Sequence, residues 1–388
     1  MATVPSGKLT VVPAETKAEL KEFVRFPWQV YNGDPYWVPP LISEREDFVD
    51  RSKHPFHEHA KVQYFTARRD GQIVGTIAAI ENFRHNEIWN DKVGFFGLFE
   101  VLQDEEAARA LLRTAEAALR EDGFNAARGP ANFSQNEECG LLVDGWNGPP
   151  VAMMTYNPKY YVPYIEGAGY AKAQDLLAYL ASTRHVQPDG TGINPKMRRV
   201  AERARERSGV TIRPVNMRDF DTDAEYFKQV YNQAWSKNWG FVPFTDKELE
   251  NEAKALKPII DPATVFFMFK DGRPVAAGLP LPDVNQALHL AYPRPGVPDW
   301  WSLAKMFYYW KVRKVVTTIR AFAGGVVEEY RGRGLHAVMI VETMARCVPK
   351  YTDIEYSWIL ESNDMMRATA RNMGAKRYRT YRLYQKDL

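Results

Sequence analysis

Residues 331–334 read Arg-Gly-Arg-Gly and lie between an apolar run and the amphipathic stretch LHAVMIVETMARC. A helix that opens there leaves its first backbone N–H groups unpaired and carries about half a positive charge at that end, so phosphate oxygens can be held by amides alone. Gly332 and Gly334 allow a phosphate to approach the chain. Arg331 and Arg333 add charge beside the amides, and an arginine fork matches a phosphate bidentately. The chemistry expected of this loop is therefore recognition of an anion.

Gly324 and Gly325 fall inside the preceding strand pattern, TTIRAFAGGVV. Glycine in a strand weakens pairing and often marks a bulge or a close backbone approach. A bulge there would turn the N–H of Gly325 or Val326 outward, where it could polarise a carbonyl in the manner of an oxyanion hole. The segment has neither the GxGxxG of a dinucleotide fold nor the GK[ST] of a P-loop.

The elements that must position this loop repeat within the chain. KLTVVP at 8–13 and GVTIRP at 209–214 match at an offset of 201 residues, and the same offset superposes Asp70-Gly71 on Asp271-Gly272, each between two strand patterns. Near the ends of the halves, GYAKAQDLLAY at 169–179 falls on GAKRYRTYRLY at 374–384. The boundary is the Gly- and Pro-rich stretch 182–195, followed by a charged helical stretch, 196–209, expected to be an exposed connector. Each half orders strand, helix, hairpin, strand, helix, strand, helix, strand, which predicts an α/β fold with a mixed sheet and helices packed on it. The expected division is a first domain at 1–182, a linker helix at 183–208 and a second domain at 209–388.

With its supporting strand and helix, VVEEYRGRGL resembles the acyl-CoA pyrophosphate loop of the GNAT N-acetyltransferase superfamily, whose pattern is Arg/Gln-x-x-Gly-x-Gly/Ala opening a helix. Arg331 and Gly334 match that pattern, and His336 stands where it has Gly or Ala. TDIEYSWIL at 352–360 resembles the family's fifth strand, which splays from the fourth to admit the pantetheine arm. Asn363 falls where the family has a CoA-contacting Asn. The resemblance implies two tandem GNAT-like domains, with acetyl-CoA or another acyl-CoA as donor substrate held by Gly325, Val326, Val327, Arg331, Gly332, Arg333, Gly334, Leu335, His336 and Asn363. The first copy has acids at 104–106 where its phosphate loop should be, so it reads as a degenerate copy that shapes the acceptor site.

The activity implied is transfer of an acyl group, most simply acetyl, to an amine of a small molecule or peptide. The family's tyrosine acid falls on Ala370 and the strand at 317–325 has no carboxylate base, which leaves Glu361 as candidate base and Tyr378 as candidate acid. These departures keep two alternatives open. One is a non-catalytic acyl-CoA-binding or regulatory module, and the other is a Fem-type aminoacyl transferase.

His54, His57 and His59 in HPFHEH lack a distant fourth ligand, so a loop is expected there and no metal. The aromatic stretches at 32–41 and 156–170 suit either a packed wall or an acceptor cleft. Residues 289–314 form a Pro-rich loop and a helix bearing Trp300, Trp301, Phe307, Tyr308, Tyr309 and Trp310, which fits a buried capping helix, an apolar substrate wall or a membrane-surface helix.

Across 388 residues, 51 Lys and Arg against 48 Asp and Glu give a net charge of +3, too small to imply a nucleic-acid partner. The balance is uneven: residues 1–188 hold 19 basic and 25 acidic side chains, and residues 189–388 hold 32 and 23. An anionic ligand therefore belongs with the second half. Cys139 and Cys347 form no CxxC pair, and no apolar run reaches the roughly 18 residues of a membrane span, so a cytoplasmic protein without stable membrane insertion is expected. The sequence leaves the oligomeric state open.

Overall fold

The computed structural model describes residues 5–187, 189–348 and 350–388. Among these the strands run β1 (Leu9–Pro13), β2 (Ala60–Arg69), β3 (Gln72–Asn82), β4 (Val93–Val101), β5 (Ala126–Gly129), β6 (Leu141–Asp144), β7 (Ala171–Ser182), β8 (Thr211–Pro214), β9 (Phe266–Lys270), β10 (Arg273–Pro282), β11 (Thr318–Val326), β12 (Asp353–Leu360) and β13 (Lys376–Asp387). The fold is mixed α/β. The chain divides into two units, one comprising Met1–Leu176, Asn285–Arg313 and Arg379–Leu388, the other Leu177–Val284 and Lys314–Tyr378.

In the first unit the strands lie in the order β1-β2-β3-β4-β5-β13, with β6 beside β13. In the second the order is β7-β12-β11-β10-β9-β8. The internal repeat is visible strand by strand. β2 and β3 turn through Asp70-Gly71 (φ 45° and 85°), and β9 and β10 through Asp271-Gly272 (φ 49° and 76°). Two consecutive positive φ values make a type I′ turn, whose twist matches that of the flanking strands and which Asp-Gly adopts readily. The next strand carries an extra residue in both units. Thr76 pairs with Glu100 and Ala78 with Gly97, and correspondingly Leu279 pairs with Ala323 and Pro280 with Ala321. A parallel strand then follows, with Val93↔Ala126 in one unit and Thr318↔Asp353 in the other.

The unit boundaries depart from those expected of the repeat, because the closing strands are exchanged. Residues 177–182 of β7 belong with the second unit, while β13 pairs Tyr384 with Gly129 and Arg382 with Leu141 in the first. Tyr381, Leu383 and Tyr384 are fully buried there, which ties the chain's end to the first unit. The aromatic insertion Asn285–Arg313 also packs in the first unit.

The main core of the first unit lies under the helix Glu105–Glu121, whose Ala107, Leu111, Leu112, Ala115 and Leu119 repeat at helical spacing and are buried beside Val74, Ile77 and Phe96. Each leucine so buried contributes about 2 kcal/mol of apolar transfer. The charged helix Pro195–Ser208 is not an exposed connector. Its small face, Ala201 and Ala204, is buried against the helix Leu335–Cys347 in the second unit, and its Arg and Glu side chains, with Val200, meet solvent.

Candidate active site

The two middle strands of the second unit, β11 and β12, pair in parallel only over Thr318↔Asp353, Ile319↔Ile354 and Arg320↔Glu355. Beyond that last pair a cavity of about 350 Å³ opens. Ala321 to Val326 and Tyr356 to Leu360 line it from the two strands, and Met339, Ile340 and Thr343 from the helix Leu335–Cys347. Among the described residues that line it, Arg331 and His336 are the only cationic or titratable basic groups, and none is a carboxylate. Met339, Met365, Met366 and Met373 give its lining adaptable side chains.

The bulge on β11 sits at Phe322, two residues before the predicted glycines. Gly324 and Gly325 pair in regular register with Gly278 and Ala277. The small size of Gly325 has another cause. A Cβ on Gly325 would lie 2.6 Å from the Trp235 ring, which closes over the strand at the end of the helix Phe220–Ala234. Phe322, the residue left out of the β10 ladder, lines the cavity, as do Gly325 and Val326 further along the strand.

The loop 331–334 opens the helix Leu335–Cys347 with Gly334 as N-cap at φ 85°, a conformation costly for any residue with a Cβ. A Cβ there would also meet Ala204 at 2.8 Å. The backbone N–H groups of 332–336 have no acceptor among the described residues, and the first hydrogen bond back to Gly334 comes from Ala337 at 3.0 Å. This makes a nest of donors at a positive helix end. Burial, and secondarily the charge of Arg331, hold the His336 imidazole below its ordinary pKa, so it is neutral at physiological pH.

The ten residues expected to hold the donor divide by position. Gly325, Val326, Arg331, His336 and Asn363 line the cavity. Gly332 and Arg333 are exposed at its loop, Arg333 over the ring of Tyr330, and Leu335 is buried beneath. The N–H of Val327 is committed to Val275 O at 3.0 Å. Arg331 is partly spent as a clamp, donating from Nε to Val326 O at 3.3 Å and from Nη2 to Ala234 O. Asn363 caps the helix Asp364–Asn372, accepting from Met366 N at 3.1 Å.

Neither candidate acid or base touches the cavity. Glu361 lies outside its lining, and the Tyr378 hydroxyl donates to Glu355 Oε1 at 3.1 Å. Glu355 itself is the carboxylate that sequence reasoning missed. It is fully buried, Ser357 Oγ donates to its Oε2 at 2.7 Å, and Arg320 Nε donates to Ser357 Oγ at 3.0 Å. Ser357 lines the cavity. The alternation in IEYS carried the signal, since Glu355 and Ser357 are both buried at i and i+2 of the strand and a buried acid has to be partnered.

In the first unit the equivalent helix start is filled by protein. Asp104 caps it, accepting from Ala107 N at 3.0 Å, and Arg69 pairs with Asp104 and Glu106. The three histidines pack among Phe48, Phe56 and Phe133, with His54 Nε2 3.7 Å from Glu137. The aromatic stretches form a wall within this unit. Tyr31 stacks on Trp37 at 4.8 Å, and Tyr31 and Tyr161 donate to Glu100.

No family model matches the chain. It is 38% identical over 392 residues to the bacterial ceramide synthase of Caulobacter vibrioides, covering 99% of this chain and 98% of that protein. It is 33% identical over 377 residues to protein YghO of Escherichia coli, with 96% and 94% covered. Among solved structures, a tandem GNAT protein from the clavulanic acid biosynthesis pathway matches 98% of both chains with TM-score 0.54 at 12% identity. A GCN5-related N-acetyltransferase from Sphaerobacter thermophilus matches 99% of this chain and 97% of its own with TM-score 0.51 at 14% identity. A splayed strand pair, a bulge and an amide nest at a helix start, repeated in degenerate form in the other half, agree with those likenesses: the chain has the fold of tandem GNAT proteins and belongs to the family of the Caulobacter ceramide synthase and YghO.

Proposed function

We propose that the protein is an acyl-CoA-dependent N-acyltransferase that joins a long acyl chain to the amine of a lipid-like amino alcohol. The observation that carries the reading is the cavity between β11 and β12, with a phosphate-type donor nest at one end and an apolar, methionine-rich wall beyond it. The full-length relation to a protein named as a ceramide synthase supports the same substrate class, since a ceramide is an amide of a fatty acid and a long-chain base. A second apolar cavity of about 60 Å³ shares Gly278, Leu279 and Phe322 with the first, which leaves room for more than a two-carbon group.

In this reading the amides of 332–336 hold the donor's diphosphate, and the strand split admits its pantetheine arm. The backbone at the Phe322 bulge faces the thioester carbonyl, where an N–H would stabilise the developing oxyanion. The amine nitrogen attacks that carbon, the C–N bond forms, and the C–S bond breaks. The amine's surplus proton passes to Ser357 Oγ as Ser357 gives its own to Glu355, and the same path returns a proton to the departing thiolate. Tyr378 and Arg320 hold the carboxylate and the hydroxyl in line.

The test is product analysis by mass spectrometry after incubating the purified protein with a long-chain base or a short polar amine, each with acetyl-CoA or palmitoyl-CoA. The N-palmitoyl amide of the long-chain base is the product expected. Acetylation of the short amine alone would replace the long-chain reading with acetyl transfer. Binding of acyl-CoA without any amide product would favour a non-catalytic module.

A further inference from the structure

We infer that the insertion Asn285–Arg313 is a docking surface for an anionic lipid bilayer, on which the protein lies without spanning it. The inference rests on the first unit alone and goes beyond the proposed reaction. No helix among the described residues is long and apolar enough to cross a membrane.

The helix Asp299–Phe307 continues as a wider turn over Tyr308–Val312. One face is buried: Ser302, Met306 and Trp310 are at most 6% exposed. The opposite face carries Trp300 (68% exposed), Trp301 (51%), Tyr308 (49%) and Val312 (65%), spaced so that they form one stripe along the helix. Leu290, on the neighbouring helix Asn285–Ala291, is also exposed. Two outward tryptophans are costly in water and match the amphipathic side chains that settle at the headgroup level of a membrane.

The charge around the stripe selects the kind of surface. Between 285 and 313 the basic residues are Arg294, Lys305, Lys311 and Arg313, and the single acid is Asp299. Asp299 is turned into the unit, accepting from Ser43 N at 2.7 Å and Ile42 N at 3.4 Å. Lys305 donates to Ala291 O, and Lys311 lies against the Trp310 ring. Arg294 and Arg313 are exposed. The patch therefore presents apolar rings with cationic flanks and no exposed acid of its own, which complements anionic headgroups. The segment is also held rigidly. Trp28 Nε1 donates to Pro293 O at 2.9 Å, and prolines 293, 295 and 298 stiffen the approach to the helix.

The experiment is co-sedimentation of the full chain with vesicles of phosphatidylcholine alone or mixed with phosphatidylglycerol, comparing wild type with a Trp300→Ser, Trp301→Ser variant. Wild type should pellet with the anionic vesicles and shift its tryptophan emission to the blue, and the variant should partition about tenfold less. Acyl-CoA binding and thermal unfolding should be unchanged in the variant, which separates loss of docking from loss of fold or of the reaction. Failure of the wild type to pellet, or equal pelleting by both proteins, overturns the inference. So does a wild-type dimer in light scattering that the double substitution converts to monomer, because the stripe would then be a self-association surface.

Discussion

Ser357 links the cavity to the buried carboxylate of Glu355: the residue belongs to the cavity lining, and its Oγ donates at 2.7 Å to Glu355 Oε2. This puts a carboxylate one hydrogen bond behind a wall that itself contains no acid. In the proposed reaction a base placed this way would be shielded from the donor's phosphates and would reach the amine through the hydroxyl, the two residues acting as a unit.

If they act as a unit, Ser357→Ala and Glu355→Gln should each lower the turnover of an amide-forming reaction by about 100-fold or more, the usual worth of a positioned proton acceptor. Their combination should cost little more than either alone. Acyl-CoA affinity should stay within a few-fold, since neither side chain belongs to the nest. Isothermal titration with acyl-CoA beside steady-state rates checks both halves, and additive losses in the double variant would break the relay. Tyr378→Phe removes one of the hydrogen bonds that hold the carboxylate. It should cost less than Ser357→Ala.

At the nest, the backbone matters more than the arginines. Gly334→Ala forces a Cβ into a positive-φ position 2.8 Å from Ala204 and should weaken acyl-CoA binding about tenfold or more. Arg333→Ala removes only an exposed charge and should cost a few-fold at low salt and less at high salt. Arg331→Ala should lower the melting temperature as well as affinity, because its guanidinium ties Val326 O to Ala234 O. Calorimetric affinities at two salt concentrations distinguish the three. Equal losses in Gly334→Ala and Arg333→Ala would show that charge, not the nest, holds the donor.

These contrasts mark how far the sequence could be read. The repeat of β1 in β8 and of the Asp70-Gly71 turn in Asp271-Gly272 was legible because short-range patterns and turn chemistry write themselves in consecutive residues. The helix-opening loop was legible for the same reason. The exchange of β7 and β13 between units was not, since strand partners are chosen by long-range packing that leaves no local mark. Residue type points to a bulge at Gly324 and Gly325, whereas Gly325 answers to Trp235, 90 positions away in sequence, Gly324 lies against Met339, and the extra residue is a phenylalanine. Glu361 and Tyr378 are candidates by their place along the chain. The pleat puts Glu355 beside Ser357 instead.

Phe322 lines both the main cavity and the smaller apolar one, together with Gly278 and Leu279, and is the largest side chain they share. Phe322→Ala should join the two spaces and move the preferred acyl-CoA toward longer chains, while Met373→Trp should fill the methionine wall and move it toward shorter ones. The readout is relative kcat/KM across an even-numbered acyl-CoA series. An unchanged profile in both variants would place the acyl chain elsewhere.

Glu100 gives the first unit a pH dependence of its own. Burial, the dominant cause, pushes its carboxyl up to about 7 from an ordinary 4.5, against the opposing pull of hydrogen bonds from Tyr31 and Tyr161. Between those two values the folded chain keeps a proton that the unfolded chain gives up. The group's contribution to stability is therefore fully present below about 4.5, declines as pH rises through 7, and is constant above that. Glu100→Gln keeps an acceptor for the tyrosines and carries no charge at any pH, so it should melt near wild type at pH 5 and progressively above it toward pH 8. Thermal melts across that range decide the matter: a wild-type and a variant curve that stay parallel would mean that Glu100 is ionised throughout and that the tyrosine pair, rather than a proton, satisfies it.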